Sequence, residues 1–266
     1  RLLDQDDRGP PVPEVSHHAE QLLHDHGRQA ERKLVDHEQL RLGEERHGQG
    51  EHLLLELQKA ALHNPRLLAS LLYVSTAYQD WQSPFNTQLI SDRQMAQIAD
   101  TRTPQGILAV VPISALTAPA AAPAERAIYL HEIQDPGNLG SILRTLAWFG
   151  DFRCLLSPGS VDPYNPKVVR SSMGAIFHTP MELDVELDSL CTRFARIACL
   201  DMHGEPVQSV SFKTFDCYLF GNEARGVPRE QLLALNAQPF TIAGCGTIES
   251  LNLAATVNMC AYELQR

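Results

Sequence analysis

The sequence predicts an α/β protein whose C-terminal half is built on a parallel sheet, preceded by a smaller α/β unit. Beyond residue 125, short β-branched or aromatic runs alternate with helical patterns, which is the signature of strand-helix-strand crossovers. Three polar-and-glycine islands also fall where such a run stops and a helix begins: Asn138–Arg144 in PGNLGSILR, Gly221–Gly226 in GNEARG and Ser250–Asn252 in ESLNLAA. Strand ends of parallel sheets are where ligand sites collect, so this placement points to an enzyme.

The elements follow in chain order. Residues 1–49 carry Pro-rich turns, many His, Glu and Arg and few aromatic or β-branched residues, so they have little to bury. A polar helix over residues 17–45 is the most this leader predicts, because its apolar positions are too sparse for a stripe. From Glu51 the texture changes. HLLLELQKAAL reads as a helix, LLYVSTAY as a strand, SDRQMAQIAD as a helix capped by Ser91, and GILAVVPI as a second strong strand. These form a small α/β unit over residues 50–113. SALTAPAAAPAE, residues 114–125, is Ala/Pro-rich without a packing pattern and reads as a semi-rigid linker.

The second domain, residues 126–266, opens with the strand AIYLHEI, the loop DPGN and a helix from Leu139. Leu139, Ile142, Leu143, Leu146 and Ala147 keep the i, i+3, i+4, i+7, i+8 spacing of a buried face, and Arg144 falls outside it. Further strands are predicted at FRCLLS, RIACLDM, CYLFG and PFTIAG, with helical segments between them.

Composition narrows the function classes. A 266-residue chain with 44% hydrophobic residues can bury one large or two modest cores. No apolar run approaches the roughly 20 residues that span a bilayer, so a soluble, cytoplasmic protein without a membrane partner is expected. The cysteines Cys154, Cys191, Cys199, Cys217, Cys245 and Cys260 are scattered, without zinc-knuckle or redox spacing, and read as reduced thiols. Seven of the eleven histidines precede residue 53 without paired ligand spacing, so no metal is expected. A net charge of −10 argues against indiscriminate nucleic-acid binding but leaves room for a local basic site.

Each island has an ordinary reading beside a functional one. Asn138 and Arg144 sit with Pro136, Gly137 and Gly140 at a helix start, where backbone N–H groups and the dipole favour an anion such as an RNA phosphate. An Asn N-cap with a solvent-facing Arg accounts for them equally. GNEARG either delivers Glu223 to the sheet end beside a bare backbone at Gly221 or is a turn that needs its glycines. It lacks the Gly-Lys-Ser/Thr of a P-loop and the spacing of a dinucleotide turn. Capping explains Ser250 ahead of the last helix, whereas Asn252, placed within the first turn, is a poor helix former unless its amide has a task.

Taken together, the order N-x-G-x-x-x-R, then G-x-E-x-x-G, then S-L-N resembles the three motifs of the SpoU branch of the SPOUT methyltransferases. They are written here as NLGSILR, GNEARGVP and IAGCGTIESLNLAA, and the similarity covers about residues 125–266. KVVRSSMGAIFHTP, residues 167–180, resembles the family's linking segment. GEHL and TPQGILAVV resemble pieces of the small substrate-recognition domain, of the ribosomal-protein L30e type, that often precedes it.

The resemblance implies a parallel α/β domain closed by a deep trefoil knot, a rare exception to the rule against knotted chains. It also implies S-adenosylmethionine as cofactor, a homodimer with the site near the subunit interface, and methyl transfer to a ribose 2′-hydroxyl of tRNA or rRNA. Asn138, Arg144, Glu223, Ser250 and Asn252 match the family's catalytic positions, and Gly221, Ile242 and Leu251 its cofactor contacts. Arg144, Lys167, Arg170 and Arg225 are the expected RNA contacts, with Arg229 a further basic residue nearby. The chain departs from the family at Ile242-Ala243-Gly244, where Ile-Pro-Met is usual, so cofactor affinity is expected to be lower. The alternative is a non-catalytic RNA-binding or assembly protein that keeps the fold.

Overall fold

The computed structural model describes residues 39–43, 49–99, 104, 106–116, 125–247 and 250–266. Most of the expected leader and linker lies outside these residues. Where the leader is described, it departs from the polar helix expected through residue 45: Gln39–Gly43 is a strand, β1, paired antiparallel with the strand at Ile107–Pro112. Leu40 and Leu42 alternate with polar neighbours, and an open strand edge supplies backbone partners that a local helical tendency cannot match.

The first unit is a four-stranded sheet. Helix α1 (Gln49–His63) precedes β2 (Leu71–Val74), β3 (Asn86–Leu89), helix α2 (Asp92–Ile98) and β4 (Ile107–Pro112), and the strand order is β1-β4-β2-β3. Ile107, Ala109 and Val111 pack with Leu54 and Leu57 of α1, whereas Leu108 and Val110 pack with Met95 of α2 on the opposite face. The run ILAVV is therefore apolar throughout because both faces of its sheet are covered. Ser91 caps α2 as the spacing predicts, in a reciprocal capping box with Gln94. The strand at β3 escapes sequence pattern because NTQL is mostly exposed and polar.

The second unit is a six-stranded, wholly parallel sheet. Its strands are β5 (Arg126–Leu130), β6 (Phe152–Leu156), β7 (Met181–Glu182), β8 (Ile197–Pro206), β9 (Cys217–Phe220) and β10 (Gln238–Thr241), in the order β10-β8-β9-β5-β6-β7. The helices are α3 (Pro136–Phe149), α4 (Pro166–Ser172), α5 (Leu190–Arg193), α6 (Arg229–Ala234) and α7 (Leu253–Gln265). Ile128, Leu130, Tyr218 and Phe220 face the core shared with α3, α4 and α7, and Ala127, Tyr129, Cys217 and Leu219 face the core around Leu190 and Leu235. Alternate residues of each strand thus enter cores on opposite faces, as in doubly wound sheets. Leu139, Ile142, Leu143 and Leu146 of α3 are buried as the spacing predicts, each contributing ~1.5–3 kcal/mol of transfer free energy.

Two features position the site. The chain runs from β5 outward to β6 on one side and returns from β8 to β9 on the other, so the loops after β5 and β9 leave neighbouring strand ends in opposite directions and open a crevice. Gly140 lets α4 approach α3 closely, because a Cβ there would lie 1.9 Å from Ser171 Oγ and 2.8 Å from the Ser172 backbone nitrogen. The two units share a continuous apolar core, and His178 Nε2 lies 3.1 Å from Glu56 Oε2 of α1. Among the described residues no helix is long and apolar enough to cross a membrane.

Candidate functional site

The site is assembled at the C-terminal ends of β5 and β9 from the three islands. Helix α3 starts earlier than its apolar stripe predicts, at Pro136, because Asp135 caps it: the Asp135 carboxylate accepts from the Asn138 backbone N–H at 2.7 Å. Pro136 suits the first turn, where its missing N–H costs nothing. This corrects one expectation: Asn138 is not the N-cap, and the carboxylate that caps the helix is that of Asp135.

Freed from capping, the Asn138 side chain reaches outward. Its Nδ2 donates to Glu223 Oε1 at 3.2 Å, and its Oδ1 accepts from Asn252 Nδ2 at 2.9 Å. Asn252 in turn accepts the Ala255 backbone N–H at 3.1 Å and is the N-cap of α7. The expectation that Ser250 caps this helix is therefore wrong, and so is the placing of Asn252 inside its first turn. Ser and Asn are both good caps, and only the chain path chooses between positions two residues apart. The polarity of the line is forced by chemistry: a carboxylate only accepts, so Asn138 must turn its amide nitrogen to Glu223 and its oxygen to Asn252.

Glu223 sits in a tightly folded loop. Asn222, nearly buried, accepts the backbone N–H groups of Ala224 and Arg225 at 3.0 and 3.1 Å and exchanges two backbone bonds with Gly226. Gly221 is required for this closure, since a Cβ there would come within 2.6 Å of the Gly226 backbone carbon. Asn222 and Asp135 hold this loop and the start of α3, and neither is among the residues that the motifs single out. The signal for Asp135 was present in the sequence, as an Asp immediately before a Pro at a helix start.

Beside this line lies a cavity of about 630 Å³, with Asn138, Asn222, Glu223, Ser250, Leu251 and Asn252 on its walls. Of the expected cofactor contacts, Leu251 lines it. Gly221 directly precedes the lining residue Asn222, and Ile242 follows β10 and packs partly buried against the main core. Arg144 stands apart. It is exposed on α3, takes part in no hydrogen bond or ion pair among the described residues, and does not line the cavity. Six residues along a helix carry it ~9 Å down the axis and well around from Asn138.

The remaining expected RNA contacts are dispersed. Lys167 is exposed in the first turn of α4, Arg170 is half-buried near its end, Arg229 is exposed at the start of α6, and Arg225 is bound to Glu132 at 2.6 Å. Two titratable groups nearby are perturbed. Burial beneath the strand end pulls the His131 pKa down, and its ring stacks on Tyr129. In the loop before α7, the Thr247 hydroxyl, 3.1 Å from Cys245 Sγ, lowers that exposed thiol's pKa. Burial instead pushes Cys154 and Cys260 up to about 12.

The family model of the SpoU rRNA Methylase family matches residues 125–262, which carry all three islands. The chain belongs to the SpoU family of SPOUT RNA methyltransferases. An uncharacterized tRNA/rRNA methyltransferase of Synechocystis is 31% identical over 186 residues, 68% of each chain. The 23S rRNA (guanosine(2553)-2′-O)-methyltransferase RlmP of Bacillus subtilis is 28% identical over 225 residues, 82% of this chain and 87% of its own. The AdoMet-bound rRNA methyltransferase of Sinorhizobium meliloti has the same fold, with a TM-score of 0.69 over 86% of this chain and 88% of that one, at 20% identity. The match extends across the small first unit as well as the SpoU domain.

Proposed function

We propose that this SpoU protein transfers a methyl group from S-adenosylmethionine to a ribose 2′-hydroxyl of rRNA or tRNA. The observation that carries the reading is the line Asn252–Asn138–Glu223, which joins three distant motifs beside an open cavity. The activity of the Bacillus subtilis relative supports the ribose hydroxyl as acceptor, and the cofactor in the Sinorhizobium meliloti structure supports S-adenosylmethionine.

The residues present suit that cofactor. The cavity is within the usual size range for small-molecule sites and combines the apolar Leu251 and Leu253 with amide and carboxylate groups. Gly221, Ile242 and Leu251 would hold it. When bound, S-adenosylmethionine supplies a methyl group already activated by its sulfonium, so the protein's task is alignment and the handling of one proton. Asn138 is held at both ends of its amide and presents a fixed edge to the acceptor, Glu223 sets its orientation, and Ser250 and Asn252 shape the cavity wall. Arg144 grips the target phosphate and polarises the 2′-hydroxyl. A guanidinium stays charged, so it acts by charge and hydrogen bonding rather than as a free base; as the S–CH3 bond would break and the O–CH3 bond form, the 2′-hydroxyl proton would leave to solvent water.

A homodimer fits the same reading. Trp148 is 82% exposed one turn beyond Arg144, and Met259 and Tyr262 of α7 are exposed on the helix packed against α3. A second copy would cover this apolar face, and Arg144 would act near the subunit contact. The chain leaves β10 at the sheet edge and returns to pack α7 on α3, a path compatible with the family's trefoil knot. The first unit, residues 50–113, and the basic residues Lys167 and Arg170 would engage RNA, whereas Arg225 is bound to Glu132. The test is incubation with methyl-labelled S-adenosylmethionine and separated rRNA and tRNA from cells lacking the protein, followed by nucleoside analysis. A 2′-O-methylnucleoside is expected in one fraction; label only on bases, or none, overturns the reading.

A further inference from the structure

Glu132 lies two residues beyond β5, outside all three motifs, yet the loops after three strands meet on it. Its carboxylate accepts from Arg225 Nη2 at 2.6 Å, and its backbone oxygen accepts from Asn222 Nδ2 at 2.8 Å. Its own N–H donates to Ser157 Oγ at 2.7 Å, in the loop after β6. Gln134 ties the same two loops again, from Nε2 to the Gly159 carbonyl at 2.7 Å. Asn222 and Arg225 flank Glu223, so both ends of the short stretch that carries Glu223 are pinned to one residue.

We infer that Glu132 is a positioning residue for methyl transfer, clasping Arg225 and Asn222 so that Glu223 meets Asn138. The inference rests on the methyltransferase reading above. An exposed ion pair such as Glu132–Arg225 adds little to stability, with the Arg side chain 70% and the Glu side chain 38% accessible, so its consequence is placement rather than energy. The backbone supports this. Glu132 holds φ at +48°, the left-handed region that a glycine occupies without strain and a glutamate does not. The strained backbone carries a side chain whose one ion pair is the clasp with Arg225. Arg225 is thereby assigned inward, to the loop, instead of to an RNA phosphate as the motif reading expects.

The test compares Glu132→Gln, Glu132→Gly, Arg225→Glu and the reciprocal double variant Glu132→Arg/Arg225→Glu in the full chain. Turnover is measured with methyl-labelled S-adenosylmethionine on bulk rRNA and tRNA, and the Asn138 side-chain amide is followed by NMR with labelled asparagine. Loss of alignment short of the reacting atoms is expected to lower kcat by about ten- to a hundredfold, with KM for RNA little changed. The Asn138 amide should shift in each single variant. Glu132→Gly should lose turnover while its Tm holds or rises, because glycine relieves the positive φ. The reciprocal swap should restore most of kcat. If Arg225→Glu raises KM for RNA while Glu132→Gln leaves both kcat and the Asn138 signal unchanged, the clasp is overturned and Arg225 is an RNA contact. If the wild type transfers no methyl group but the Asn138 amide still responds to Glu132, the methyltransferase reading fails and the clasp stands.

Discussion

Helix α3 carries two functional surfaces that differ in how they are held. At its N-terminal turn, Asn138 is bonded to Glu223 and Asn252 through its side chain and to Asp135 through its backbone, and Gly140 seats the helix on α4. About two and three turns on, Arg144 and Trp148 are exposed, and among the described residues Arg144 makes no hydrogen bond or ion pair. The first surface is held by contacts within one chain, and the second is open. Under the proposed function the interlocked end would face the cofactor, and the open face would take RNA phosphate and a second copy.

Substitutions can break that contrast. The largest effect is expected at Arg144. Arg144→Ala should cut methyl transfer by about a thousandfold, as loss of a charge-stabilising donor does, while Tm stays within a degree or so because the side chain is exposed and makes no hydrogen bond or ion pair among the described residues. A matching loss of stability, measured calorimetrically, would mean that Arg144 belongs to the interlocked end after all. Next comes the open face itself. Trp148→Glu should weaken self-association by roughly thirtyfold or more, and sedimentation at micromolar concentration should then report single chains of 29.5 kDa. An unchanged mass would remove the second copy from this face. The smallest effect sharpens the other side of the comparison. Gly221→Ala places a Cβ against the Gly226 backbone and should cost about 1–3 kcal/mol, read as a fall in Tm of several degrees. Full stability in that variant would show that the loop has room the geometry denies it.

Much of the fold was legible because burial writes itself into spacing. The strands β4, β5, β6 and β9 are buried on both faces and were readable as short apolar runs, broken in β6 by the ion-paired Arg153, and the buried stripe of α3 was readable residue by residue. What escaped has little burial to write: β3 is a polar, mostly exposed strand, β7 is two residues long, and β1 exists by pairing with β4. Helix ends were blurred for another reason. Asp135 and Asn138, or Ser250 and Asn252, are chemically interchangeable as caps, so the local text supports either and the path of the chain decides. The decision matters for the site, because it frees the amide of Asn138 and commits the oxygen of Asn252.

The sequence by itself determined that three motifs of a set composition and order lie at strand ends, and hence the family. It carried no information on which polar atoms would meet. Asn138 and Glu223 are 85 residues apart and Asn138 and Asn252 are 114 apart, and they come within hydrogen-bonding distance because a parallel sheet sets β9 against β5 and brings α7 back onto α3. The same closure joins Glu132 to the loop of Glu223 and leaves Arg144 outside. Spacing along a chain records which face a residue shows to its own element, whereas contact between elements depends on strand order, which no local pattern encodes.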